Sequence, residues 1–246
     1  MKLLVCISKT PDTTAKVSFT PDGSSFNTDG VNYIMNPYDE WYALVKAIEV
    51  KEALGGEVVA INVGPASNDI VIRKALAIGA DRAVRINKEA SSSLDVASQV
   101  AAYCEGQGFD LIFTGKETID HNGSEVGAML AEKLDLPYVS YASAMSAEAG
   151  QAVVTRDIEG GTQSVKLPYP FVLSAAKGLA EQRIPNMRGI MMAKRKPLDV
   201  VDPVEVSGHS IVSSFELPEQ KQGVKMVDEN DMDELVRLLH EEAKVI

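Results

Sequence analysis

The chain has 246 residues, with 24 Lys+Arg against 35 Asp+Glu, a formal net charge of −11, and 45% hydrophobic residues. This balance excludes general disorder, and its acidity works against nonspecific nucleic-acid binding, which needs Lys and Arg to neutralise phosphates. No apolar run approaches the roughly 18 residues of a membrane span, so a soluble chain of one large or two small domains is expected, without membrane insertion.

Leu3-Leu4-Val5-Cys6-Ile7 reads as a buried first strand; it is too short for the apolar region of a signal peptide and lacks a small-residue cleavage site. Cys6 and Cys104 are the only cysteines and show no Cys-x-x-Cys spacing. That fits a reducing compartment, the cytoplasm or, in a eukaryote, the mitochondrial matrix. His121, His209 and His240 are scattered singly and give a metal site little support. Residues 9–30 read as a polar loop or short hairpin around Lys16-Val17-Ser18-Phe19. Asn36-Pro37-Tyr38-Asp39 then reads as a helix start, with Asn36 as the cap, Pro37 in the first helical position and Asp39 at the positive end of the dipole. Trp41, Leu44, Val45 and Ile48 continue at helical spacing until Gly55-Gly56 ends the run.

Next come a buried strand over Glu57 to Val63, a helix over Ile70 to Ile78, a strand over Arg82 to Ile86 and a helix over Leu94 to Gln107. A strand over Phe109 to Thr114 opens into Gly115-Lys116, and a further helix is predicted to start near Asn122 to Ser124. Strands alternating with helices predict an α/β fold with a mostly parallel, Rossmann-like sheet covered on both faces. From Gln151 to Ser174 the pattern shifts to short strands around Glu159-Gly160-Gly161. Leu179 to Lys196 is expected to be a basic loop, and a final amphipathic helix is expected over about Asp231 to Lys244. The division predicted is an α/β nucleotide-binding domain over 1–190 and an extended C-terminal arm over 191–246 that packs on something else.

Open α/β sheets bind ligands at the carboxyl ends of their strands. Three segments meet there: the turn after the first strand, Val63-Gly64-Pro65-Ala66, and the loop from Gly115 to Val126. That loop carries Gly115 and Gly123 for close backbone approach and leads into a helix N-terminus, whose free N–H groups suit an anion. The residues leave two readings open, a nucleotide cradle or an ordinary strand-to-helix connection. No Gly-x-Gly-x-x-Gly follows the first strand, Asp110 stands where a Walker loop needs glycine, and no Gly-x-Ser-x-Gly elbow is present. Cys104 reads as core, and Asp120-His121 as a neighbouring pair without a catalytic role. Leu179 to Lys196 combines Arg183, Arg188, Lys194, Arg195 and Lys196 with Ile184, Met187, Ile190, Met191 and Met192. Flexible apolar side chains beside charge suit partner docking, and no aromatics are present for base stacking.

Val154-Thr155-Arg156-Asp157-Ile158-Glu159-Gly160-Gly161-Thr162-Gln163-Ser164-Val165, followed by Pro170 and Val172-Leu173-Ser174, carries a family signature. With Met35-Asn36-Pro37, Gly64-Pro65-Ala66, Ala75 to Arg82 and Gly115-Lys116 to Ile119-Asp120 in matching order, the chain resembles the beta (small) subunit of electron transfer flavoproteins over essentially its full length. The resemblance implies an adenine nucleotide alpha hydrolase-like fold and a heterodimer with an alpha subunit that holds most of the redox FAD. It implies an electron-carrier subunit rather than a stand-alone enzyme, placed in fatty acid oxidation. Electrons would arrive from acyl-CoA dehydrogenases and similar flavoenzymes and leave to a membrane-bound electron transfer flavoprotein-quinone reductase. This chain would hold AMP with Cys6, Asn36, Pro37, Tyr38, Asp39, Val63, Gly115, Lys116, Glu117, Thr118, Ile119, Asp120, His121, Asn122, Gly123, Ser124, Glu125 and Val126. Thr13 and Tyr38 would face the flavin. Met187 would anchor a partner dehydrogenase, with Ile184, Ile190 and Met191 beside it. Asp157 matches an acidic position that holds the mobile flavin domain, and the arm would pack on the alpha subunit.

Many relatives carry Gln where this chain has Glu117 and Glu125, and Thr where it has Val126. A carboxylate about 5 Å from a phosphate costs roughly 3 kcal/mol at an effective dielectric near 20. A lost hydroxyl removes about 1 kcal/mol more. The expected result is AMP held weakly, replaced by another group, or absent. The bifurcating branch of the same family is the nearest alternative, with a second FAD in this pocket oxidising NADH. An alternative of another class is a stand-alone adenine-nucleotide-binding enzyme or stress-type protein.

Overall fold

Burial on both faces selects the centre of the sheet. β1 (Lys2–Cys6), β4 (Glu57–Val63), β5 (Arg82–Ile86), β6 (Leu111–Gly115) and β10 (Phe171–Ala175) are the near-continuous apolar runs, and their interior residues are shielded from solvent. The computed structural model describes residues 1–208, 210–220 and 223–246. His209 lies outside them.

The remaining elements are β2 (Lys9–Pro11), β3 (Tyr33–Met35), α1 (Asp39–Leu54), α2 (Asp69–Ile78), α3 (Ser93–Cys104), α4 (Val126–Lys133), β7 (Tyr138–Glu148), β8 (Gln151–Ile158), β9 (Gly161–Pro168), α5 (Met187–Ala193), β11 (Leu198–Val201) and α6 (Met232–Arg237). Among the described residues the main sheet has nine strands in the order β11-β5-β4-β1-β6-β10-β7-β8-β9. The pairs from β11 to β7 are parallel, and β7-β8 and β8-β9 are antiparallel. One face packs α1 and α2 over Leu3, Val5, Ala60, Phe113 and Leu173; the other packs α3 and α4 over Leu4, Val59, Val84, Ile112 and Val172. Alternating residues of each strand thus feed opposite cores. The expected mostly parallel α/β sheet, covered on both faces, is what the chain forms.

Four local readings are corrected. Asn36 does not cap α1: the N-cap position is Tyr38, at φ 65°, with no side-chain cap. α4 starts at Val126 rather than at Asn122 to Ser124, because Asn122 and Ser124 take left-handed φ values of 49° and 53° that a right-handed helix does not use. The expected basic loop contains α5, capped by Asn186, whose Oδ1 accepts the Gly189 N–H at 2.8 Å. The last helix is α6 followed by a π-helical turn over Leu238–Ala243. The long strand β7 was not read from the sequence at all.

The chain divides into two units. The first comprises Met1–Lys16 and Thr28–Val212, and so includes the sheet and its edge strand β11. The second comprises Val17–Asn27 and Ser213–Ile246. Within the second, Phe19 bridges to Phe26, Phe215 stacks on Phe19 with ring centroids 5.1 Å apart, and the Phe215 N–H donates to the Gly23 carbonyl. No helix among the described residues is long and apolar enough to cross a membrane.

Candidate functional site

At the carboxyl edge of the sheet, the end of β6 lies directly against the start of α1. A Cβ on Gly115 would sit 2.7 Å from Glu40 Cγ and 3.1 Å from Glu40 N, so only glycine allows this approach. The loop that follows is pinned from below. Asn36, fully buried, donates from Nδ2 to the Glu117 carbonyl at 3.1 Å and accepts the Ile119 N–H on Oδ1 at 3.1 Å. The Lys116 N–H donates to the Ala175 carbonyl, which fixes the loop to β10 as well. Asn122 N–H closes on the Thr118 carbonyl, and the left-handed Asn122 and Ser124 turn the chain towards α4.

Between this loop and α1 opens a cleft of about 220 Å³ lined by Pro37, Tyr38, Asp39, Tyr42, Lys116, Glu117, Ile119, Asn122 and Lys177. Seven of those nine are among the residues named from the sequence. Tyr42 and Lys177 were not, since one lies a turn into a helix and the other just beyond a strand, without a local motif. The cleft does not include Cys6 or Val63. Cys6 is buried at the end of β1 in the core on the α3–α4 side, and Val63 packs against the same core. Burial pushes the Cys6 thiol well up, and the neighbouring Cys104 and Glu40 add to the effect. Gly123, Glu125 and Val126 lie at the approach to α4, where a Cβ on Gly123 would stand 3.6 Å from Ser93 Oγ and 3.9 Å from Glu125 Oε2. Exposed His121 lies 4.0 Å from Asp120 through Nε2. Exposed Thr13 hydrogen-bonds Asp12.

The charges of the cleft are partly matched. Lys116 pairs with Glu117 at 2.8 Å, and Glu117 also accepts from Ser124 Oγ at 3.2 Å. The Lys116 hydrogen bond therefore lowers the Glu117 carboxyl and, reciprocally, raises the ammonium. Asp39 is raised by burial, with Lys116 and the Glu117 N–H pulling the other way. Tyr38 is exposed although its φ of 65° is unusual for a non-glycine residue, a local strain held by the packing beneath it.

Two residues beyond Tyr38, in the first turn of α1, Glu40 is only 4% exposed. Its Oε2 accepts the Ser8 N–H at 2.6 Å and its Oε1 the Ser8 hydroxyl at 2.7 Å. The Ser8 carbonyl in turn accepts the Asn36 N–H at 2.9 Å. The sequence did carry a signal for this group, because helical spacing puts a charged residue on the same face as the buried Ala43, Leu44 and Ala47.

The helix N-termini of the chain divide by capping. Among the described residues, α1, α2 and α4 have no side-chain cap, whereas α3, α5 and α6 are capped by Ser92, Asn186 and Asp231. The uncapped helices follow β3, β4 and β6, where the expected site residues lie.

Away from the cleft, α5 is clamped onto α2. Arg73 Nη1 donates to the Ala193 and Lys196 carbonyls, both at 2.7 Å, and Lys196 Nζ donates to the Leu76 and Ala80 carbonyls at the C-terminal end of α2. Trp41 Nε1 holds the Arg183 carbonyl, and the Arg183 guanidinium pairs with Glu52 through two bonds of 2.8 and 3.0 Å. Seating the segment this way turns Ile184 (87% exposed), Met187 (74%), Ile190 and Met191 outward. Asp157 accepts the Ser143 hydroxyl at 2.9 Å on the β7–β8 ladder, apart from this strip.

An electron transfer flavoprotein domain matches residues 24–206. The electron transfer flavoprotein subunit beta of Bacillus subtilis is 36% identical with the whole of both chains covered, and that of Bradyrhizobium diazoefficiens is likewise 36% identical end to end. The human electron transfer flavoprotein subunit beta is 34% identical, covering 94% of this chain and 95% of its own.

Proposed function

The chain belongs to the electron transfer flavoprotein beta-subunit family, and from that premise we propose that it is the small subunit of a cytoplasmic, two-chain electron carrier. It takes electrons from acyl-CoA dehydrogenases and similar flavoenzymes and passes them to a membrane-bound quinone reductase. The alpha subunit holds most of the FAD, and this chain holds a structural AMP. Residues 1–190 supply the nucleotide-binding domain. Residues 191–246, which begin with the end of α5 and the edge strand β11, continue as the arm that packs on the alpha subunit.

The observation that carries the nucleotide site is the set of uncapped helix N-termini. Ser, Thr, Asn or Asp caps would consume the first N–H groups of α1 and α4, and their absence leaves those donors to an anion; at α2 a preceding 3-10 turn over Ala66–Asn68 already takes the Asp69 N–H. Backbone donors do not depend on side-chain identity, so Glu117, Glu125 and Val126 are compatible with the site. Glu117 is in addition offset by Lys116. Tyr38 and Thr13, both exposed, are the residues of this chain that face the flavin. AMP, when bound, supplies no redox chemistry; the chain uses it to fill and order the edge of the sheet.

The outward Met187 strip, rigidly seated on α2, suits docking of a dehydrogenase. Met187→Ala is expected to slow electron uptake at least several-fold while heterodimer assembly stays intact, and an unchanged rate refutes the anchor. The nucleotide assignment is tested by mass spectrometry of nucleotides released from the native heterodimer. One FAD with one AMP is expected; two FAD without AMP would place the electron-splitting flavin of the bifurcating branch in this chain.

A further inference from the structure

Three contacts converge on one buried carboxyl group. Glu40 holds the turn after β1 through two bonds, from the Ser8 N–H and from the Ser8 hydroxyl, and its stem lies under Gly115 at the end of β6. Ser8 passes the restraint on to Asn36, whose side chain pins Glu117 and Ile119. The loop that lines the cleft is thus held by a continuous hydrogen-bonded chain, Glu40 to Ser8 to Asn36, in which Glu40 is the one titratable side chain.

We propose that Glu40 is a positioning residue of the nucleotide site and that anion binding there is coupled to its protonation. The inference rests on the nucleotide reading above and adds its regulation. The charged and titratable groups that face Glu40 are Asp39 on α1, Asp120 on the loop after β6, and the thiol of Cys6 on β1. No cation among them offsets its charge. Burial pushes Glu40 up to about 8, against the two Ser8 bonds that stabilise the carboxylate, while Asp120 and Asp39 push it further. A phosphate settling at the N-terminal end of α1 adds negative charge to this group of carboxylates and favours the neutral acid. Near pH 8 the bound state therefore holds more protons than the free state. Binding takes up a proton, and affinity falls as pH rises through that range.

The test uses the assembled heterodimer and AMP as the probe. Titration calorimetry in two buffers of different ionisation enthalpy reads proton uptake at pH 8, and the dissociation constant is followed from pH 7.5 to 9. The second ionisation of the AMP phosphate has its midpoint near pH 6 and is nearly complete by about pH 7.5, so its charge is almost constant over this range. Wild type is expected to take up a fraction of a proton and to weaken roughly fivefold across the range; Glu40→Gln is expected to show neither effect. If Glu40→Gln does not assemble, Ser8→Ala serves instead. It removes a bond that favours the carboxylate, so the midpoint of the pH profile moves upward. AMP binding without proton uptake and with flat affinity refutes the coupling and leaves the nucleotide site standing, as does proton uptake that survives in Glu40→Gln or a midpoint unmoved in Ser8→Ala. No AMP binding at any pH overturns both.

Discussion

Asn36→Ala should loosen the loop over the cleft far more than it loosens the fold. The buried amide makes two bonds to the loop backbone, one to the Glu117 carbonyl and one from the Ile119 N–H, both at 3.1 Å. Each is worth about 1 kcal/mol net, and alanine offers neither group a substitute. Opening of the loop should therefore become easier by about 2 kcal/mol, which is roughly a 30-fold faster exchange of the Ile119 amide. Hydrogen exchange read residue by residue over Gly115 to Val126, with β4 and β5 as internal reference, measures this directly. Asn36→Asp keeps the acceptor for Ile119 but turns a carboxylate oxygen towards the Glu117 carbonyl, so it should recover no more than half of the lost protection. A folded Asn36→Ala protein with unchanged Ile119 exchange refutes the view that this side chain holds the loop.

The folded pKa of Glu40, about 8 against an ordinary 4.5, means that the folded state binds more protons between those values. Stability should fall as pH rises across that window, by at most about 1.4 kcal/mol per unit, and Glu40→Gln should flatten the slope of the unfolding midpoint against pH. Gly189→Ala places a Cβ 2.6 Å from the Ala77 carbonyl, so α5 must lift from α2. The expected loss is about 1–3 kcal/mol, with slower electron uptake because the Met187 strip moves, measured by denaturation and stopped-flow reduction. Lys196→Met removes the ammonium that caps the last carbonyls of α2. A destabilisation of about 1 kcal/mol is expected in a denaturant titration, softened because burial already holds the Lys196 ammonium below its ordinary value.

The strands β1, β4, β5 and β6 were legible as apolar runs, and α1 and α2 by helical spacing stopped at Gly55-Gly56 and Gly79; the three-residue strands β2 and β3 are too short to show a pattern and were not read. The cleft was legible in part for a similar reason, since the Gly115 loop and the Asn36-Pro37 turn are both local signals. The function of Asn36 was not. Its type suits a helix cap, but its partners lie 81 and 83 residues further along the chain. β7 escaped notice because much of it is small residues (Ser140, Ala142, Ser143, Ala144, Ser146) instead of large apolar ones. α5 escaped because seven residues give barely two turns of periodicity, and its bulky side chains face solvent. Lys177 and Tyr42 enter the cleft only once β10 and α1 are placed side by side.

The strand order has a consequence for how the protein is made. β10 lies between β6 and β7, yet it is synthesised after β7, β8 and β9. As the chain leaves the ribosome, the three-stranded β7–β9 meander can zip up by local pairing well before the strand that joins it to the rest of the sheet exists. Until Ala175 has emerged, β6 has an open, apolar edge of the kind that recruits the wrong strand. The five residues of β10 act as a keystone slotted between two preformed parts of the sheet, after which only the edge strand β11 is added. A nascent chain stalled before Phe171 should therefore be captured by chaperones far more readily than one stalled past Ala175.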